Sequence, residues 1–342
     1  MSKVLLTSVV EGQLPAGHDN LRPLEVLRAC AQIDRFGVHE IVTDPARADL
    51  ILFVEQRGPG LYQAPFWRHP LVRRHPERCF AYCAIDSVVP FLPGIYPSQP
   101  RRGPSPARYR GGHYLNGLFR PNPGALPMPA APPLLYSFRG RFATHRIRPR
   151  LARLQHPRGV VLDTEGRMDG RAHGRIFMGY GQGDVDAFYT LCRDSAFMLA
   201  PRGYGASSMR LFEAMQVGRA PVIVGDAWIP PVGPDWGAFS VRVAERDIAS
   251  IPDRLEALEP RAEAMGLAAR AAWDEWFAED VTFHRVVSWC LDIAADRRWT
   301  EPLERLAAYR RLLDEDVLLA RGRSVRERIG RLAARLRGSR TT

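Results

Sequence analysis

The residues best suited to chemistry lie between Ser195 and Asp226. Phe197-Met198-Leu199-Ala200 is an apolar run of strand length. It gives way to Pro201-Arg202-Gly203-Tyr204-Gly205-Ala206-Ser207-Ser208, a turn of small residues, and then to Met209-Arg210-Leu211-Phe212-Glu213-Ala214-Met215, which has helical composition. A glycine-rich turn that opens a helix leaves backbone N–H groups pointing outward, and with the helix dipole these make an anion site. Arg202 and Arg210 flank the turn, and paired guanidinium groups suit a pyrophosphate. Glu213 lies one turn beyond Arg210 on about the same face, where a carboxylate can accept bonds from two ribose hydroxyls. An ordinary strand–loop–helix with a serine N-cap and solvated arginines fits the same residues. The pattern is neither a Walker A loop nor G-x-G-x-x-G, so it supports neither an ATPase nor a dehydrogenase.

Such a turn has to be held by a sheet, and the surrounding pattern supplies two. In the first half, strand-like Lys3 to Val10 is followed by Leu21 to Phe36, with Leu24, Leu27, Cys30 and Ile33 at helical spacing. Val38 to Thr43 reads as a strand, Asp44 to Asp49 as a capped helical turn, and Leu50 to Val54 and Arg78 to Ile85 as strands covered on both faces. Between Pro97 and Pro133 prolines and glycines are dense, which rules out a helix or an inner strand and marks the connection between domains. Alternation resumes with strand Leu134 to Phe138, helix Thr144 to Leu154 and strand Val160 to Asp163. It continues with helix Val185 to Asp194, strand Ala196 to Ala200, helix Ser207 to Val217 and strand Ala220 to Gly225. Repeated β-α-β alternation specifies parallel sheets flanked by helices. The expected division is a first Rossmann-like domain over 1–120, a proline-rich linker over 121–133, a second such domain carrying the turn over 134–290 and an arginine-rich helical segment over 291–342.

Composition narrows the partners. The 342 residues are 46% hydrophobic and 25% charged, ordinary values for a globular chain. No apolar run reaches the roughly 18 residues of a membrane-spanning helix. The net charge is +11 and Lys3 is the sole lysine, so the positive charge is almost all arginine. Arginine suits bidentate contact with phosphate or carboxylate, and a GC-rich genome would raise its frequency equally. Helix-turn-helix, RNA-binding aromatic and zinc-finger patterns are lacking, so nucleic acid is not an expected partner. Cys30, Cys79, Cys83, Cys192 and Cys290 lack zinc spacing and read as buried thiols in a reducing, cytoplasmic setting. Near the C-terminus Val325, Ile329, Leu332 and Leu336 form an apolar stripe edged by Arg323, Arg326, Arg328, Arg331, Arg335 and Arg337. A helix of that kind can lie on the anionic inner face of a membrane, or pack across the domains with its arginines solvated.

The stretch that opened this section resembles the exostosin family of glycosyltransferases. The resemblance runs in order through Ser195 to Gly203, Ser208 to Met215, Gly218-Arg219-Ala220-Pro221-Val222-Ile223-Val224, Trp228-Ile229-Pro230-Pro231, Asp235-Trp236 and Phe239-Ser240-Val241. Thr43 to Leu50 and Leu134 to Gly140 resemble the family's strand-entry segment and the first strand of its donor domain. The resemblance implies a GT-B fold, in which two Rossmann-like domains face each other across a cleft, followed here by C-terminal helices. It also implies a UDP-linked sugar donor, inversion at the anomeric carbon and a role in polysaccharide biosynthesis. Carried over by position, Arg202, Gly203 and Arg210 would hold the diphosphate, Ser207 and Ser208 would add donors at the helix start, and Glu213 would take the ribose. Arg139, after the donor domain's first strand, would approach the diphosphate from the opposite turn or else sit in a surface loop. Animal members of the family are membrane-anchored and often carry a second transferase domain, so this chain resembles a short, soluble, bacterial-type member.

The mechanism expected is a single displacement, with a base from the acceptor-side domain removing the acceptor's hydroxyl proton. Asp86, after the strand ending at Ile85, and Glu55, after the strand ending at Val54, are the leading candidates, ahead of His18 and Asp19. Asp184-Val185-Asp186 has the form of a metal-binding Asp-x-Asp, but its place at the start of a helical segment suits capping, so no metal is expected to be required. The acceptor expected is a glycan or a lipid-linked glycan. The alternatives are a GDP-fucose-dependent, fucosyltransferase-like enzyme, and a non-catalytic glycan-binding protein on the same fold.

Overall fold

Leu50–Glu55 and Ser195–Pro201 have no polar face, and each is buried at every position. Strands of this kind are stable only in the interior of a sheet with helices on both sides. The computed structural model describes residues 1–56, 60, 62–86, 89–98, 108–118, 123–164, 182–297, 312, 317–322 and 325–326, the side chains of 182–184 excepted. Around those buried runs it builds two parallel sheets. The first comprises β1 (Ser2–Thr7), β2 (His39–Ile41), β3 (Leu50–Glu55), β4 (Cys79–Cys83), β5 (Gly94–Ile95) and β6 (Tyr109–Arg110), in the order β2-β1-β3-β4-β5-β6. The second comprises β7 (Leu134–Gly140), β8 (Gly159–Asp163), β9 (Ser195–Pro201), β10 (Ala220–Val224) and β11 (Val241–Val243), in the order β11-β10-β9-β7-β8.

Counted within its own domain, each sheet therefore begins 2-1-3-4-5. Connections leave the first strand toward one edge and then reverse toward the other. Where they part, a crevice opens beyond the carboxyl ends of the strands, and ligands of such folds bind there. The crevices lie between β1 and β3 in the first sheet and between β7 and β9 in the second. The chain is thus α/β with two Rossmann-like domains, the GT-B architecture.

The helices are α1 (Arg22–Gln32), α2 (Ala64–Arg68), α3 (Pro70–Arg74), α4 (Arg148–Leu151), α5 (Gln182–Asp194), α6 (Met209–Gln216), α7 (Trp236–Phe239), α8 (Ile251–Leu258), α9 (Ala262–Trp276) and α10 (Glu279–Ala295). At three points the local structure has a clear physical cause. Asp44–Asp49 is a single turn, in which the Arg47 amide donates to the Asp44 carbonyl at 3.1 Å and the Ala46 amide to its carboxylate at 2.8 Å. The helix expected over Thr144 to Leu154 is a 3-10 turn at Phe142–Thr144 followed by the short α4, because Pro149 belongs at a helix start and not within one. The proline-rich stretch does contain a strand, β6, at the sheet edge, where a short, partly paired strand is tolerated.

α10 crosses back and packs on α1 and β5, so the boundary expected at residue 290 falls inside a helix that belongs to the first sheet. The reason is apolar: Val286, Val287, Cys290 and Ile293 are buried in one cluster with Leu24, Leu27 and Cys30 of α1. That cluster continues through Trp273 and Phe277 to Phe212 of α6, so one hydrophobic core runs through both domains. The backbones also meet closely. A Cβ on Gly111, in the first domain, would lie 2.5 Å from the carbonyl oxygen of Ile229 in the second. The linker is tied to the donor domain by the fully buried Arg219, which donates to the carbonyls of Leu126 at 2.7 Å, Pro127 at 3.1 Å and Ser195 at 2.9 Å. Among the described residues no helix is long and apolar enough to cross a membrane.

Candidate active site

The donor turn sits at the crevice between β7 and β9. β9 is buried along its whole length and pairs with β10 on one side, Val222 opposite Leu199, and with β7 on the other, Tyr136 opposite Phe197. Its end therefore delivers Arg202 and Gly203 to a fixed place, with the Arg202 amide donating to the Val224 carbonyl at 2.9 Å. α6 starts at Met209, and its face of Leu211, Phe212, Ala214 and Met215 is buried, which turns Arg210 and Glu213 toward the opening. Arg210 donates through Nε to the Arg139 carbonyl at 2.8 Å and pairs with the Glu213 carboxylate, and its guanidinium stands 4.3 Å from the ring centre of Phe188. Arg139, at the end of β7, is buried, and the Arg202 guanidinium lies 3.8 Å from the Glu245 carboxylate. Six of the seven proposed donor-binding residues come together directly around the turn, and the seventh, Arg139, joins through its carbonyl.

Ser208 is the most informative of them. It occupies the N-cap position of α6 with extended backbone angles, yet its hydroxyl does not cap the helix. The hydroxyl is buried and has no hydrogen-bond partner among the described residues. A buried hydroxyl without a partner costs about 1–3 kcal/mol, so an oxygen-rich anion at the helix start would recover what the protein leaves unmade.

Sequence reasoning missed Arg148. Buried at the start of α4, it donates through Nε to the Arg202 carbonyl at 2.9 Å, through Nη2 to the Pro201 carbonyl at 3.1 Å and through Nη1 to the Arg141 carbonyl at 2.9 Å. It thereby clamps the last residues of β9 to the loop after β7 and sets a further positive charge behind the turn. Its guanidinium also bounds Gly203, where a Cβ would lie 3.2 Å from Nη2. The only signal in the sequence is an arginine preceding a proline, one among many arginines.

The first domain meets this turn through Asp86, Ser98 and Tyr114. The Ser98 hydroxyl donates to the Asp86 carboxylate at 3.2 Å and lies 2.6 Å from the Tyr114 hydroxyl. The Ala206 amide of the donor turn donates to the Ser98 carbonyl at 3.4 Å. Gly205 is required at the contact, since a Cβ there would come within 2.5 Å of the Ser98 Cβ and 2.7 Å of the Asp86 carbonyl oxygen. Burial and then the charge of Asp86 push the Tyr114 phenol well above its ordinary pKa, while the hydroxyls of Ser98 and Ser207 and then Arg148 pull it down.

Glu55 lies elsewhere. It closes the crevice between β1 and β3, fully buried, with the Val9 amide donating to one carboxyl oxygen at 2.6 Å and the Ser8 hydroxyl to the other at 3.0 Å. Burial lifts its pKa to about 7 against the downward pull of those two bonds. Its hydrogen-bond partners are residues of its own domain, and the structure does not bring it to the donor turn as it brings Asp86.

Asp186 stands in the first turns of α5, which begins at Gln182, and the side chain of Asp184 lies outside the described residues. Among the described residues no group of three or more His, Cys, Asp or Glu side chains is placed to hold a metal ion. All five cysteines are buried and free. Most of the arginine-rich stripe between 323 and 337 also lies outside the described residues.

Comparison with known proteins falls on the same region. Residues 120–258 match the family profile described as the Exostosin GT47 domain. The Exostosin-1 homolog of Caenorhabditis elegans is 36% identical over 89 residues, 25% of this chain and 23% of that protein. Exostosin-1 of Drosophila melanogaster is 27% identical over 185 residues, 49% of this chain and 23% of that protein. The matched part is thus about a quarter of the length of these curated relatives. Among solved structures, MurG of Acinetobacter baumannii is similar over 84% of this chain and 98% of its own, at 10% identity and a TM-score of 0.35, too low to add to the architecture read from the sheets.

Proposed function

We propose, from the match of residues 120–258 to the Exostosin GT47 domain, that the chain is an exostosin-family glycosyltransferase that transfers a sugar from a UDP-sugar, with inversion at the anomeric carbon, to a glycan or lipid-linked glycan. The observation that carries this reading is the donor turn at the β7/β9 crevice, where the uncapped Ser208 hydroxyl and the start of α6 lie among Arg148, Arg202 and Arg210. The helix start and the guanidinium groups hold the diphosphate and stabilise its charge as it departs. Glu213, which pairs with Arg210, accepts from the ribose hydroxyls. Because arginine and helix N–H groups meet the diphosphate charge, no metal is required. Asp86 is the base: it approaches from the other domain, beside Gly205 of the donor turn, whereas Glu55 is enclosed in its own domain. Buried free thiols fit a cytoplasmic setting. The arginine-rich stripe near the C-terminus would meet an anionic membrane that carries a lipid-linked acceptor.

Thermal unfolding with UDP, GDP and neither tests the donor assignment. A ligand at about 100 times its Kd stabilises the folded state by about 2.7 kcal/mol. UDP is expected to raise the Tm and GDP to leave it nearly unchanged; the reverse result assigns the site to a GDP-sugar, and no response to either removes the donor reading.

A further inference from the structure

We propose that Tyr114 is a positioning residue that holds the acceptor-side carboxylate Asp86 in register with the donor turn, acting through Ser98 on one side and Phe212 of α6 on the other. This rests on the reading of the donor turn given above. Three observations converge on it. The hydroxyls of Ser98 and Tyr114 are 2.6 Å apart, and Ser98 donates to Asp86, so the phenol is one link from the carboxylate. The Ser98 carbonyl accepts from the Ala206 amide at 3.4 Å, so the residue that the phenol meets is itself bonded to the donor turn. The ring of Tyr114 meets Phe212 of α6 edge-on, with centroids 6.2 Å apart, and this contact ties the ring to the second domain.

The backbone supports the same coupling. Ser98 is fully buried, its carbonyl accepts from the Ala206 amide, and its side chain occupies the space that a Cβ on Gly205 would need. The donor turn is therefore held from both domains. Arg148 clamps it from its own side, through the carbonyls of Pro201 and Arg202, and Ser98 and Tyr114 hold it from the other. A base and a leaving diphosphate carried on separate domains need such a tie, since a displacement of about 1 Å between reacting groups can cost about 100-fold in rate.

Tyr114→Phe keeps the ring against Phe212 and removes only the hydroxyl. Two measurements on the full chain test the proposal: hydrogen exchange at the Ala206 amide without nucleotide, and UDP binding by calorimetry. The expected result is at least tenfold faster exchange at Ala206, with UDP affinity kept within about threefold and an unchanged circular dichroism spectrum. Where a donor sugar turns over, kcat should fall about 10–100-fold with little change in KM, and Tyr114→Phe should add little to Asp86→Asn. Unchanged exchange at Ala206 overturns the proposal, as do full kcat and losses that multiply in the double variant. Failure of the unaltered protein to bind UDP counts against the donor reading instead, and the exchange measurement still decides whether the tie exists.

Discussion

The β1/β3 crevice and the β7/β9 crevice occupy equivalent places in sheets of the same strand order, and they are filled with opposite charge. In the first, the protein's own Glu55 carboxyl takes the Val9 amide and the Ser8 hydroxyl, the kind of groups that an anionic ligand would otherwise use. In the second, the corresponding ground is lined by Arg148, Arg202 and Arg210, and the Ser208 hydroxyl is left unmatched among the described residues. Equivalent topology supplies two crevices, and side-chain charge leaves only the second suited to an anion. The loop bearing Asp86 leaves the same sheet after β4 and meets the donor turn at Gly205.

The largest test concerns the residue that spans the two regions. Asp86→Asn should lower transfer by about 10²–10⁴-fold, the range for loss of general base catalysis, with UDP binding unchanged. Full transfer by that variant would return the base to Glu55 and undo the contrast drawn between the crevices. Next, Arg210→Ala should lower kcat by about 10²–10³-fold and abolish the UDP-induced rise in Tm, while the circular dichroism spectrum stays the same. A variant that still responds to UDP would show that the arginine-lined crevice is not the nucleotide site.

Glu55→Gln sharpens the comparison from the other side. The folded pKa of Glu55, about 7, lies above its ordinary 4.5, so the folded state holds the proton more tightly than the unfolded chain. The stabilisation that this provides is fully present below about pH 4.5 and is lost as pH rises through 7. Glutamine has no proton to lose, so Glu55→Gln should flatten the pH dependence of denaturant unfolding between pH 5 and pH 8 by about 1–3 kcal/mol. UDP affinity should not change. An effect of similar size is expected from Gly205→Ala, which forces a Cβ against Ser98 and the Asp86 carbonyl and should cost about 1–3 kcal/mol of stability by overpacking. An unchanged Tm would mean that the domains separate at that contact without penalty.

Much of the donor side was legible in the sequence, because its parts are contiguous. A buried strand, a turn of small residues and a helix start follow one another from Ser195 to Gln216, and the chemistry of a helix start is mostly that of its backbone. Two parallel sheets were legible for a related reason: burial on both faces writes itself as unbroken apolar runs such as Leu50–Glu55. Arg148 was not legible, since its task is to donate to carbonyls 53 and 54 positions away. Nor was the link from Asp86 to Tyr114, whose members stand 12 and 16 positions apart across a proline-rich stretch with no periodicity to follow.

Glu55 and Asp86 mark the limit between the two kinds of information. By sequence they are equivalent, each an acid just past an apolar strand, and strand endings alone assign both to the carboxyl edge of the first sheet. Only the tertiary structure separates them, because the free energy of a carboxyl group depends on what surrounds it in space. Glu55 is enclosed by its own domain, and burial lifts its pKa toward neutrality. The backbone carbonyl of Asp86 is set against Gly205 of the opposite domain, and its carboxylate accepts from Ser98, which meets the donor turn. The local order of residues determined the strands, the donor turn and its positive charge; the packing of one domain on the other decided which acid is linked to that turn.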